Sequence, residues 1–237
     1  MMILKGKNIM TKHVWFINAH PDDFNPGLGL ALVLRDLPGY TVHAADFNRG
    51  ERGLVQEGVS MEVCAATRVE EERKVCEGLG IEPVFLPAID GESYASREMC
   101  ERIAELFTQA PPAAVITHWP VDVHVDHVMC GAAVFGALRL TKVPTEVYFY
   151  RQNKQCRNFS EDIYLPFDEE IMTQKCELLK FYACQNGAEI SARERIEDTY
   201  NGYRCGAPFA ECYASFQIPL AGQNSFFTDL ARARGLL

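Results

Sequence analysis

The chain has 237 residues, 48% of them hydrophobic and 23% charged, and a formal net charge of −9. That is enough apolar material for a full globular core, and the negative charge excludes non-specific affinity for nucleic acid or an anionic membrane surface. No apolar run approaches the roughly 18 residues of a membrane span, so a soluble cytoplasmic protein with no membrane span is expected.

The N-terminus MMILKGKNIMTK lacks the apolar stretch of a secretory signal. Residues 1–13 are expected to form a disordered leader ahead of a single domain over 14–237. Val14 to Ala19 (VWFINA) is a short apolar run that stops at His20-Pro21 and predicts a buried strand. Gly27 to Leu37 has helical spacing and ends before Pro38-Gly39. Tyr40 to Phe47 predicts a second strand, and the glycine-rich stretch from Asn48 to Gly58 a loop. Ser60 to Leu79 repeats apolar residues every three or four positions and stops at Gly80. Val84 to Leu86, Ala113 to Thr117 and Glu146 to Tyr150 predict strands, interleaved with helices at Ser96 to Thr108 and Asp126 to Leu140. Five alternations of strand and helix imply an α/β fold of Rossmann-like type: a mostly parallel sheet with helices on both faces, in three layers. After Arg151 the pattern is less regular, with a helix predicted over Asp168 to Gln185 and a strand over Ala210 to Ile218.

The nine cysteines, at 64, 76, 100, 130, 156, 176, 184, 205 and 212, show no C-x-x-C spacing. They predict small buried hydrophobes in a reducing compartment, not a cysteine zinc site.

In open parallel sheets, ligands bind beyond the carboxyl ends of the strands. Two such ends are rich in polar groups: Ala19-His20-Pro21-Asp22-Asp23, and the stretch holding His118, Asp122, His124, Asp126 and His127. Four of the six histidines fall in these two places. A plain helix N-cap explains one aspartate, not His-Pro-Asp-Asp together. Catalytic zinc commonly takes three protein ligands and keeps a fourth position for water. His20 and Asp23 lie close enough to converge where a strand turns into a helix, and a histidine of the second cluster would complete the set. Asp22 would then stand free to take a proton from the bound water. Asp122 and Asp126 are candidates to hydrogen-bond a histidine ring and fix its orientation, and spacing does not rank them. Arg49, in a glycine-flanked loop at a strand end, is a candidate to bind substrate. A nucleotide-binding domain is disfavoured, because two aspartates stand where a phosphate loop would need glycines.

These residues resemble the PIG-L or LmbE-like deacetylase family. The likeness rests on A-H-P-D-D at 19–23, followed by Gly27 and Gly29, and on Asn48-Arg49-Gly50-Glu51-Arg52-Gly53. It continues through Arg68 and Glu71 ahead of Leu79-Gly80, through His124-Val125-Asp126-His127, and through echoes at 180–185, 204–206 and 210–211. It implies a zinc-dependent hydrolase, with one divalent ion per chain, that removes an N-acetyl group from an N-acetylglucosamine-type sugar or conjugate. By position it makes His20, Asp23 and His127 the metal ligands and Asp22 the general base. His124 becomes the group that steadies the oxyanion or protonates the leaving amine, and Arg68 a substrate contact. A homo-oligomer is compatible with the resemblance. The alternatives are another amide, such as a thiol conjugate, or a family member without turnover. Phe24 departs from the family pattern, which has Glu there, and is expected to alter the cleft wall or the groups behind it. Val125 also departs, replacing a frequent proline.

Overall fold

The apolar runs of the first 150 residues form the strands their spacing predicts. In the computed structural model, which describes residues 11–54, 57–152, 156–217 and 224–237, they are β1 (Lys12–Asn18), β2 (Tyr40–Asp46), β3 (Val84–Phe85), β4 (Pro112–His118) and β5 (Glu146–Tyr150). The helices between them are α1 (Leu28–Arg35), α2 (Met61–Leu79), α3 (Arg97–Gln109) and α4 (Val125–Thr141). Local chemistry sets several of their ends. The Ser60 and Ser96 side chains accept amide hydrogens at the starts of α2 and α3, and Gly80 ends α2 at φ +70°.

The rest of the chain adds β6 (Ile163–Phe167), α5 (Glu169–Leu179), α6 (Gly187–Cys205), β7 (Phe209–Ser215) and α7 (Phe226–Ala233). The sheet order is β3-β2-β1-β4-β5-β7-β6. The first five strands are parallel, while β7 runs antiparallel to both β5 and β6. Strand side chains alternate between faces. Val14 and Phe16 of β1 therefore join a core with α1, α2, α5 and α7, while Trp15 and Ile17 join another with α3 and α4. That is the expected three-layer arrangement. Truncating the fully buried Phe16 to Ala would cost about 3–5 kcal/mol. No described helix is long and apolar enough to cross a membrane.

Several expectations need correction. Residues 1–10 of the expected leader lie outside the described residues, but Lys12 and His13 already belong to β1. The helix predicted over 168–185 stops at Leu179. A single 3-10 turn, Ala183–Gln185, follows, and Asn186 takes φ +59° before α6 begins. Gly187 makes the reversal possible, because a Cβ there would sit 2.4 Å from the Leu179 carbonyl oxygen. The strands β6 and β7 and the helix α6 give the irregular half more order than its pattern suggests. Ile218, in the predicted last strand, lies outside the described residues. All nine cysteines are free thiols, but only Cys64, Cys76 and Cys130 are fully buried and Cys205 is exposed.

A buried ion cluster ties this second half to the first. Lys175 Nζ, with no exposure, lies 2.7 Å from Asp198, 2.8 Å from Glu211 and 3.2 Å from Glu194. Glu211 also accepts the amides of Gly29 and Leu30 at 2.6 and 2.8 Å, capping α1, and the hydroxyl of Tyr213. Gly29 is needed for this approach, since a Cβ would stand 2.7 Å from the Glu211 carboxylate.

Candidate active site

The strand order reverses between β1 and β4, the switch point at which open α/β sheets bind ligands. The loop after β1 carries His20, Asp22 and Asp23, and the loop after β4 carries Asp122, His124, Asp126 and His127. Along the latter stretch polar and apolar residues alternate. Val121, Val123 and Val125 are exposed, while Asp126 and His127 are buried. His124 caps α4, its Nδ1 accepting from the Asp126 amide at 3.3 Å.

The two loops meet at the Asp23 carboxylate. Asp23 Oδ2 lies 2.8 Å from His20 Nδ1 and 3.3 Å from His127 Nε2. Behind each imidazole stands another carboxylate. His127 Nδ1 lies 3.0 Å from Asp122 Oδ2, and His20 Nε2 lies 3.2 Å from Asp126 Oδ2 and 3.3 Å from Asp90 Oδ1. Asp122 and Asp126 therefore serve different histidines. With protons on the outer nitrogens, the inner lone pairs of His20 and His127 face the Asp23 oxygen, and such a set requires a cation or extra protons at its centre. The electrostatics agree. Burial opposes charge on His127, yet Asp23 and Asp122 raise it to about 9. Burial also opposes ionisation of Asp23, but His127, His20 and His118 hold it well below the usual carboxylate range. The ligand atoms of His20, His124 and His127 lie within 4.8 Å of one another, as do those of Asp23, His118 and His127, and such imidazole and carboxylate sets with oriented rings fit a zinc-type divalent ion.

Asp22 is held apart from this set. Its φ is +93°, outside the usual range for a non-glycine residue, a conformation that costs on the order of 1–3 kcal/mol. The surroundings fix it there. Arg68 donates to Asp22 Oδ1 and to the Pro21 carbonyl, Asn25 Nδ2 donates to the Asp22 carbonyl at 2.7 Å, and the Asp22 amide points at Glu72, 3.4 Å away. Burial lifts Asp22 to about 6, although Arg68 opposes the shift. Glu72 behind it is lifted by burial to about 7, although the Tyr182 hydroxyl donates to it at 2.7 Å. Gly50 and Gly53 make room for Arg68, because a Cβ at either would lie 2.5 Å from its guanidinium.

These groups open on a cleft of about 500 Å³, within the range of small-molecule sites. His20, Asp22, Asp23, His124, His127 and Arg68 all line it. Arg49 does not; its side chain is 55% exposed and its Nε pairs with Glu51 at 3.2 Å. The N-R-G-E-R-G loop instead brings Arg52 and Gly53 to the wall. Phe24 lies behind the cleft wall and not in it, the second of the two places expected for it. It is fully buried, packs against Phe16 at 4.8 Å between ring centroids, and lies away from the cleft lining. His118 is buried as well. Its Nε2 accepts from the Ala19 amide at 2.9 Å, and burial together with His127 pushes it well below the ordinary imidazole value. It braces the two loops and does not face the cleft. Sequence reasoning missed Asp90, Arg193 and Gln152, which also line the cleft. Asp90 follows the third parallel strand, so the strand-end rule could have found it; nothing local marks the other two.

A three-layer α/β protein with a His/Asp centre at its switch point is the class defined by fold and site. The profile of the PIG-L family, described as GlcNAc-PI de-N-acetylase, matches residues 15–138, and the chain belongs to that family. Comparison with curated protein sequences gives no match. Among solved structures, the chain is similar to N,N'-diacetylchitobiose deacetylase from Pyrococcus horikoshii, with 21% identity, TM-score 0.74, and coverage of 92% of this chain and 88% of that one. It is similar to GalB, the 4-carboxy-2-hydroxymuconate hydratase from Pseudomonas putida, with 20% identity, TM-score 0.76, and coverage of 91% and 100%. The conserved protein TT1542 from Thermus thermophilus shows 21% identity, TM-score 0.71, and coverage of 90% and 99%.

Proposed function

We propose that the chain is a zinc-dependent N-deacetylase acting on an N-acetylglucosamine-type sugar or sugar conjugate. One observation carries this reading: His20 Nδ1, Asp23 Oδ2 and His127 Nε2 converge beside a separate carboxylate, Asp22, that opens on the same cleft. His20, Asp23 and His127 would hold the ion, oriented by Asp126 and Asp90 behind one ring and Asp122 behind the other. When bound, the ion supplies a water acidified to a pKa of about 7 and polarises the acyl carbonyl.

The chain's own residues supply the rest. Arg68 occupies Asp22 Oδ1, which leaves Oδ2 to accept the water's proton; a value of about 6 keeps the carboxylate mostly ionised at neutral pH and still able to pass the proton on. His124 accepts at Nδ1 from the Asp126 amide, which assigns its proton to Nε2. Burial and the neighbouring His20 and His127 lower its pKa. A neutral imidazole donating from Nε2 suits the developing oxyanion; protonation of the leaving amine then falls to Asp22. Arg68 positions the base and lines the substrate space.

The test is elemental analysis of the purified protein, paired with acetate and primary-amine release from N-acetylglucosamine-type compounds with and without chelator. About one zinc per chain and chelator-sensitive release of both products is the expected result. Failure to take up metal after zinc reconstitution overturns the His20, Asp23, His127 set.

A second reading is favoured by the three arginines that line the cleft, Arg52, Arg68 and Arg193. Although each already faces a carboxylate of the chain, their positive charge would suit the hydration of a carboxylated substrate, and GalB, a hydratase, shares the fold. Metal binding without amine release from any N-acyl sugar would support it over the deacetylase.

A further inference from the structure

The histidine-bearing loop after β4 is fastened to the chain that follows β5, and a cysteine sits at the join. Asp122 and Cys156 face each other in an isolated antiparallel bridge. Beside it the Arg157 amide donates to the Val121 carbonyl at 2.9 Å, and the Trp119 indole donates to the Arg157 carbonyl at 2.8 Å. These ties fix the Cys156 backbone. Its half-buried thiol points at the Asp122 carboxylate, with Sγ 3.3 Å from Oδ2. A second acceptor, the Gln152 carbonyl, is farther away at 4.0 Å. Burial and the Asp122 charge push the thiol up to about 12, so at neutral pH it keeps its proton and stands as a donor.

Asp122 therefore receives three donors. Its Oδ1 accepts the His124 amide at 2.8 Å, and its Oδ2 faces both the thiol and His127 Nδ1, 3.0 Å away. The Asp122 side chain has no exposure, so its charge is divided among groups of the chain. Two donors at one oxygen compete, and each weakens the bond the other makes. A carboxylate behind a ligating histidine makes the ring a stronger donor to its metal. A thiol on the same oxygen moderates that effect, while the His124 amide keeps the carboxylate plane in place.

We infer that Cys156 is a positioning residue of the metal centre: its thiol shares Asp122 Oδ2 with His127, and so sets how strongly that carboxylate holds the His127 ring and how good a ligand the ring is. The inference deepens the deacetylase reading and rests on it for His127 as a ligand.

The proton on His127 Nδ1 reports the effect. It is observed by proton–nitrogen NMR on the full chain labelled with 15N-histidine, metal-free and zinc-loaded, and assigned by its loss in His127→Gln. Cys156→Ala and Cys156→Val both remove the donor but differ in bulk. Both should move the signal downfield, because a stronger hydrogen bond deshields its proton. Both should also tighten zinc about 2- to 5-fold, as one weak hydrogen bond predicts, measured by competition with a chromophoric chelator. Cys156→Ser keeps a donor and should return the signal at least halfway. An unmoved signal, opposite shifts in the Ala and Val variants, a Ser signal that coincides with that of Ala, or unchanged zinc affinity overturns the role. Should Cys156→Val fail to fold, the Ala and Ser variants decide. Elemental analysis of the same samples separates this inference from the metal reading. A downfield shift in a chain that takes up no zinc keeps the link from Cys156 through Asp122 to His127 and overturns the metal set; zinc uptake with an unmoved signal does the reverse.

Discussion

The chain buries two clusters of charge, and they are built on opposite principles. Around Lys175 the ammonium touches three carboxylates, and Glu211 is bonded further by two amides and a tyrosine hydroxyl. There the charges are turned on one another and on the backbone of α1. Around Asp23, two imidazoles turn their inner nitrogens to one carboxylate oxygen, Asp22 leaves Oδ2 free, and the whole opens on a cleft. A saturated cluster holds elements together; an unsaturated one is equipped for chemistry. The strained φ of Asp22 belongs to the second kind and is maintained by Arg68, Asn25 and Glu72.

Substitutions in each cluster should therefore fail differently. The largest effect is expected for His127→Ala, which should lose both bound metal and turnover while keeping its fold, read by elemental analysis beside circular dichroism. Full metal occupancy in that variant would break the contrast. Lys175→Met should do the reverse. Removing the ammonium that touches three buried carboxylates costs about 3–5 kcal/mol, visible as a large fall in the urea midpoint. An unchanged midpoint would mean the cluster is not structural. Asp22→Asn should retain its metal and lose about 10²–10⁴ in turnover; parental turnover would remove Asp22 as the base.

A pH effect of middle size sharpens the comparison. Burial raises Glu72 from 4.5 to about 7, so the folded chain keeps a proton that the unfolded chain releases earlier. Its contribution to stability is full below about 4.5 and is lost as pH rises through about 7. Glu72→Gln should remove that loss, flattening stability across the window by about 1.4 kcal/mol per pH unit. Urea titrations at pH 5 and pH 7 measure it, and parallel slopes for the two proteins would refute it. The smallest effect is expected for Arg49→Ala. An exposed side chain paired, among the described residues, with Glu51 alone should change stability by less than about 1 kcal/mol and leave KM as it was; a raised KM would return Arg49 to the substrate site.

Legibility in the sequence followed the same divide. The loop after β1 and the H-x-D-H stretch were readable because each packs its polar residues within a few positions of a strand end. Asp122 and Asp126 could not be ranked, since their separate partners depend on a crossing of β1 and β4 loops that spacing does not encode. The helix α6 escaped because its buried stripe is polar. Ser191, Glu194, Asp198 and Asn201 face inward toward the Lys175 region, while Ile196, Tyr200 and Tyr203 are exposed. Hydrophobic periodicity reads such a helix inside out. Arg193 went unnoticed for the same reason. Phe24 was readable as a departure, but only its packing on Phe16 showed that it serves the core.

The carboxylate of Glu211 reaches back 182 positions to the amide of Gly29. During synthesis on a ribosome, α1 has no acceptor for those first amides until nearly the whole chain has emerged, and Lys175 appears with its three counter-charges still to come. A fragment ending with the segment that matches the family profile would carry every proposed metal ligand, yet leave the helix behind the first loop uncapped and one edge of the sheet bare. Such a fragment should be a poor folding unit: β1 and β4 would both be present in it, but the helix that follows the first loop gains its cap only when the last strand arrives.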